Sequence, residues 1–103
     1  MKAYEIFEKP DSWTRGTAAR NRLGGEVHED DPAACMFCVV GAVWRAYPRG
    51  SSQDKALKKV RDLIMVRYPD INSRGSYLSI AEYNDAVAKD QNEVLSLLRD
   101  ADV

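Results

Sequence analysis

A chain of 103 residues allows one domain with a single modest core. Its 15 basic and 16 acidic residues leave a formal charge of −1, which argues against binding nucleic acid through a broad basic surface. No stretch has transmembrane length, the MKAYEIFEK start lacks a signal-peptide core, and two cysteines three positions apart disfavour a structural disulfide, so a reduced, cytoplasmic chain is expected.

Residues 2–9 form a short element in which Ala3, Ile6 and Phe7 share a helical face. Alternation fits as well, so helix and strand both stay open until Pro10 ends the element. The run from Trp13 through Arg20 to His28 reads as a small hairpin or an ordered loop, with Gly24 and Gly25 at the turn and Thr17 and Val27 suited to strands.

The chain is then organised around residues 32–47, which read as one buried helix. Asp31 is its N-cap, Pro32 its first residue, and Pro48 its stop. The stretch is apolar on all sides apart from Arg45, as expected of an enclosed helix. Met36, Val40, Val43 and Tyr47, with Phe37 and Trp44 alongside, form its bulky side. Ala34, Cys38, Gly41, Ala42 and Arg45 form a slim one. Gly41 costs about 1 kcal/mol of helix propensity, which points to a segment pressed against the backbone there or to the floor of a pocket.

A third helix runs from Ser51 or Ser52 to about Tyr68, with Leu57, Val60, Leu63 and Ile64 as its apolar stripe and lysines and arginines on a solvated flank. A loop with a turn at Arg74-Gly75 follows. Ser79 and Glu82 have capping-box spacing and open a short helix to about Val87. Asp90 caps a last helix whose Val94, Leu97, Leu98 and Ala101 are expected to pack against the central one. The expected fold is a mostly α single domain, residues 1–103, of four to five helices around a buried central helix, with a short N-terminal β-hairpin.

Cys35-Met-Phe-Cys38 is the loudest chemical motif. At a helix start Cys35 would be favoured as thiolate. A thioredoxin-type site also needs a βαβ context, which is absent from the pattern. Zinc would need His28 plus Asp30 or Asp31, and the second ligand pair that makes such a reading strong is missing, so no metal and no cofactor are expected. A cysteine hydrolase or redox enzyme using Cys38 or Cys35 would need His28 as base, with Asn84 or Asp85 orienting it. The plainer readings are core cysteines, a solvated loop histidine, and an Asn-Asp pair that bonds to nearby backbone.

Trp13-Thr-Arg-Gly16 with Ala19-Arg20, then Cys38-x-x-Gly41-Ala42, then Tyr83-Asn84-Asp85 ahead of Glu93-Val94-Leu95 and Ala101, resembles the uncharacterised DUF6197-type family of small bacterial and phage proteins. Phe37 and Tyr83 stand where that pattern has tryptophan. The resemblance implies no assigned activity, and His28 belongs to none of its motifs. It implies that Trp13, Arg20, Cys38, Asn84 and Asp85 meet in space against the slim face of the central helix. The helix faces themselves set Cys38 and Arg45 at the rim of any pocket floored there. The expectation is a non-enzymatic binding protein that contacts a host protein or sequesters a small polar ligand. An anti-defence factor of a phage is one example.

Overall fold

The computed structural model describes residues 1–71 and 76–103. Helix α1 is a single turn, Ala3–Ile6, and strand β1 is Ala19–Arg20. Strand β2, Met36–Phe37, leads into α2, Val39–Ala46. Helix α3, Ser51–Arg67, is followed by α4, Ser76–Glu82, which widens into a π-helical turn at Tyr83–Val87. Helix α5, Gln91–Asp100, completes a mostly α domain with a small two-stranded antiparallel sheet.

Within residues 2–9, the helical alternative holds over Ala3–Ile6. Ala3, Ile6 and Phe7 are all buried, so the i, i+3, i+4 face wins over alternation. The turn at residues 21–25 forms as expected: Asn21 Oδ1 accepts the Leu23 and Gly25 amides, and Gly24 takes φ +86°, where a side chain would be strained.

The long central helix is the main correction. Residues 32–38 are not helical. Asp31 caps a turn, its Oδ1 accepting the Ala33 amide at 2.8 Å. The next amides are then drawn to other segments: Cys35 N–H to Arg20 O at 3.0 Å, Phe37 N–H to Ser12 O at 2.8 Å, and Cys38 N–H to Ala18 O at 3.2 Å. Phe37 and Met36 pair in register with Ala19 and Arg20. A run that is apolar at every position has no period to separate strand from helix, and here partners of high sequence separation decide. The helix begins only after Cys38, whose Sγ accepts the Gly41 amide at 3.2 Å.

Within α2, Val39, Ala42 and Val43 are fully buried in the core, although Ala42 belongs to the slim side of the sequence reading. Val40 is buried in the same core, as the bulky side requires. Trp44 is half-buried and Arg45 exposed, so the helix is not wholly enclosed. The close approach at Gly41 is real: a Cβ placed there would lie 2.0 Å from the Ala18 carbonyl oxygen.

Helix α3 presents Leu57, Val60 and Ile64 to the core as its periodicity requires. It packs on α2, α4 and α5. Helix α4 starts at Ser76, so Ser79 is a buried residue of the helix interior and not its cap. Asp90 caps α5 by accepting the Glu93 amide at 2.9 Å. Glu93 then receives the Tyr68 hydroxyl and the Lys89 amide. The main neighbours of α5 are α1 and α3, not α2, because two-turn α2 is already flanked by α1, α3 and α4. The turn expected at Arg74-Gly75 lies outside the described residues.

Candidate functional site

The π-helical turn sets the site. It closes with the Ala88 amide donating to Tyr83 O at 2.8 Å, five residues back. Adjacent residues of an α-helix diverge and do not face one another. In this wider turn Asn84 and Asp85 both address the segment Thr14–Gly16, and Asn84 Nδ2 donates to Asp85 Oδ1 at 2.9 Å. Widened turns of this kind recur at functional sites.

Asn84 is 1% exposed and has all its bonding capacity engaged. Its Oδ1 accepts Trp13 Nε1–H at 2.7 Å and the Val39 amide at 3.0 Å. Its Nδ2 donates to Thr14 O at 3.1 Å as well as to Asp85. One amide thus ties the Trp13 segment, the first residue of α2 and the π turn together. It positions the site, and has no donor or acceptor left over for a ligand. Asp85 is exposed, and its Oδ1 accepts the Gly16 amide at 3.0 Å in addition to Asn84.

Arg15 completes the clasp. Its guanidinium lies 4.5 Å from the Trp13 ring centroid, and it donates to the carbonyls of Asn84 and Ala88. Arg20 braces the same loop from β1 through Thr14 Oγ1, Arg15 O and Gly24 O. Both guanidinium groups are therefore spent on the chain's own oxygens.

Against this frame lies a cavity of about 280 Å³, lined by Gly16, Thr17, Ala18, Cys38, Val40, Trp44, Ala81, Asn84 and Asp85. Of the residues singled out from the sequence, Cys38, Asn84 and Asp85 line it together, with Trp13 bonded behind Asn84. Arg20 and Arg45 do not. Arg45 donates to Glu29 O and Asp31 O and stacks over Phe37, beside a separate hollow that includes Cys35. Thr17, Ala18, Val40, Trp44 and Ala81 went unrecognised. The Val40–Trp44 spacing of four residues held a usable signal, because a face packed on the core can also wall a cavity at its edge.

The two cysteines part company. Extended backbone sends residues three apart to opposite sides, and Cys35 is exposed while Cys38 is half-buried in the cavity wall. Burial pushes the Cys38 thiol up from its ordinary value, against the opposing pull of the Gly41 and Val40 amides, so it is neutral at pH 7. Cys35 lies ahead of α2 and gains nothing from a helix start. His28 stays in its own loop, accepting the Asp30 amide on Nδ1 and lying beside Glu29. His28, Glu29 and Asp30 bring ligand atoms within 4.8 Å of one another, with neither cysteine among them.

No curated protein and no solved structure matches the chain. The profile of a family of unknown function, DUF6197, matches residues 2–102. With the Trp13 segment, the Cys38–Gly41 helix start and the Asn84-Asp85 turn all built into one clasp around a cavity, the chain belongs to the DUF6197 family.

Proposed function

We propose that the protein is a small non-enzymatic binding module whose ligand site is the cavity between the Gly16–Ala18 segment, α2 and the π turn. The observation that carries this reading is the contrast between the cavity and its frame. The polar groups of the frame bond to one another, while the cavity itself offers apolar walls from Ala18, Val40, Trp44 and Ala81 and one carboxylate, Asp85. Ligand sites of this composition bury an apolar body and orient it with few polar contacts. At about 280 Å³ the cavity sits below the usual range of about 300–1,000 Å³ for drug-sized ligands. It therefore suits a small molecule with a polar end, or one side chain of a partner protein. A phage-encoded member would use it in the host cytoplasm on a host protein, for example as an anti-defence factor.

A fragment panel containing neutral, anionic and cationic members tests the reading, followed by the indole N–H resonance of Trp44. Ala81→Leu, at an exposed helical position, fills the cavity. Fragments are expected to shift Trp44 in the parent and not in A81L. A panel that leaves Trp44 unmoved sinks the proposal.

A further inference from the structure

Resting on that reading, we infer that the cavity is selective for an aliphatic ammonium group: a short alkyl chain lying on Trp44 and Val40, its charged end at Asp85. The described lining contains two ionisable residues, Cys38 and Asp85. The buried thiol stays protonated at neutral pH, so the formal charge on the wall is the single negative one of Asp85. The Gly16 amide and Asn84 Nδ2 both donate to Oδ1 of Asp85, which is exposed at the cavity. Arg15 and Arg20, on the adjoining segment, donate to carbonyl and hydroxyl oxygens and line no part of the cavity.

The start of α2 would ordinarily attract an anion. Here three of its donors are already taken. The Val39 amide goes to Asn84 Oδ1, the Gly41 amide to Cys38 Sγ, and the Ala42 amide to Cys38 O. An anion entering the cavity meets a carboxylate where those amides are engaged. A cation finds the carboxylate, and the indole of Trp44 adds an aromatic ring suited to it. A neutral alkyl chain gains the same apolar walls but forgoes the charge-assisted bond, which is about twice as strong as a neutral one.

The probes are n-butylammonium, n-butanol and butyrate, titrated against the parent protein and read from the Trp44 indole peak, identified as the one missing in Trp44→Phe. n-Butylammonium is expected to saturate at a concentration at least about tenfold below n-butanol, with butyrate weakest. Asp85→Asn removes the charge but keeps an oxygen able to accept from Gly16 and Asn84, so it should bring n-butylammonium down to the n-butanol level. The parent comparison decides the matter even if D85N does not fold. A lysine-containing peptide with blocked ends, run alongside, supports the same chemistry in a protein partner if it competes with n-butylammonium. If it does not compete, the ligand is a free amine. Equal binding of n-butanol and n-butylammonium overturns the inference and leaves the cavity as a binding site. Failure of all three probes to move Trp44 overturns the inference together with the reading it rests on.

Discussion

Replacing Asn84 by alanine should be among the most damaging single changes available outside the apolar core. The variant strips partners from the Val39 amide, Trp13 Nε1–H and Thr14 O at once. Leaving one buried polar group unsatisfied costs about 1–3 kcal/mol. The Val39 amide should feel most of that, because Val39 is fully buried. Trp13 and Thr14 are half-buried and can recruit water, so each should cost about 1 kcal/mol. The sum, about 3–5 kcal/mol, is a large part of the roughly 5–15 kcal/mol that holds a small domain folded. With roughly 4–8 °C per kcal/mol for a chain of this size, the thermal midpoint should fall by about 12–40 °C. Urea unfolding measures the loss directly, and hydrogen exchange should show the Val39 amide losing protection. Asn84→Asp refines the test, since it keeps Oδ1 but sets an anionic oxygen against Asp85 and Thr14 O. Its deficit should be worst at neutral pH and shrink as the pH falls toward about 4, because burial beside a second carboxylate raises the new carboxyl's pKa in the folded state. An N84A protein within about 1 kcal/mol of the parent would refute the claim that this amide joins the three segments.

Gly41→Ala would normally gain about 1 kcal/mol of helix propensity, but its methyl would meet a carbonyl already held by the Cys38 amide. A net loss of about 2 kcal/mol in urea unfolding is expected, and a variant as stable as the parent contradicts the close approach. Under iodoacetamide at pH 8, exposed Cys35 should be modified at least about tenfold faster than Cys38, as resolved by peptide mass mapping. Preferential labelling of Cys38 would instead favour thiol chemistry in the cavity. The protein should be labile to alkali. Burial raises the pKa of Cys38 above its ordinary 9.0 and those of Tyr47 and Tyr83 above 10.0, and the bond to Glu93 does the same for Tyr68. Above those pH values the unfolded chain has released protons that the folded one still holds. The stability is therefore complete below pH 9 and drains as the pH climbs through 9 and then 10. A urea midpoint that stays constant to pH 11 would show that these groups are not sequestered.

Much of the fold was legible where the pattern was amphipathic. In α3 the apolar positions recur at one face only, and in α5 a capping aspartate precedes such a face, so both were readable to within a residue or two. Residues 32–38 were not, because every position is compatible with burial in either backbone form. The choice fell to acceptors on Ser12, Ala18 and Arg20, far off in the sequence. The site was legible only in part. The face carrying Val40 and Trp44 reads as core, and it also borders the cavity, while Arg45 turns to the carbonyls of Glu29 and Asp31. The grouping of Trp13, Asn84 and Asp85 came from motif resemblance, since residues 71 positions apart carry no local sign that they touch. Arg15 was passed over for the same reason: its acceptors are the carbonyls of Asn84 and Ala88, which any sequence would provide.

The turn at Tyr83–Val87 holds one residue more per hydrogen-bonded loop than the helix before it, and this makes the stretch a counted segment. Losing a single residue there would let α4 wind on as an ordinary helix, with the Ala88 amide still bonded to Tyr83 O but now four residues on, so the path to α5 would survive. What would be lost is the facing of neighbours, since Asn84 and Asp85 could no longer both reach Thr14–Gly16. Among members of the family, the extra residue and the Asn-Asp pair should thus be kept or lost together.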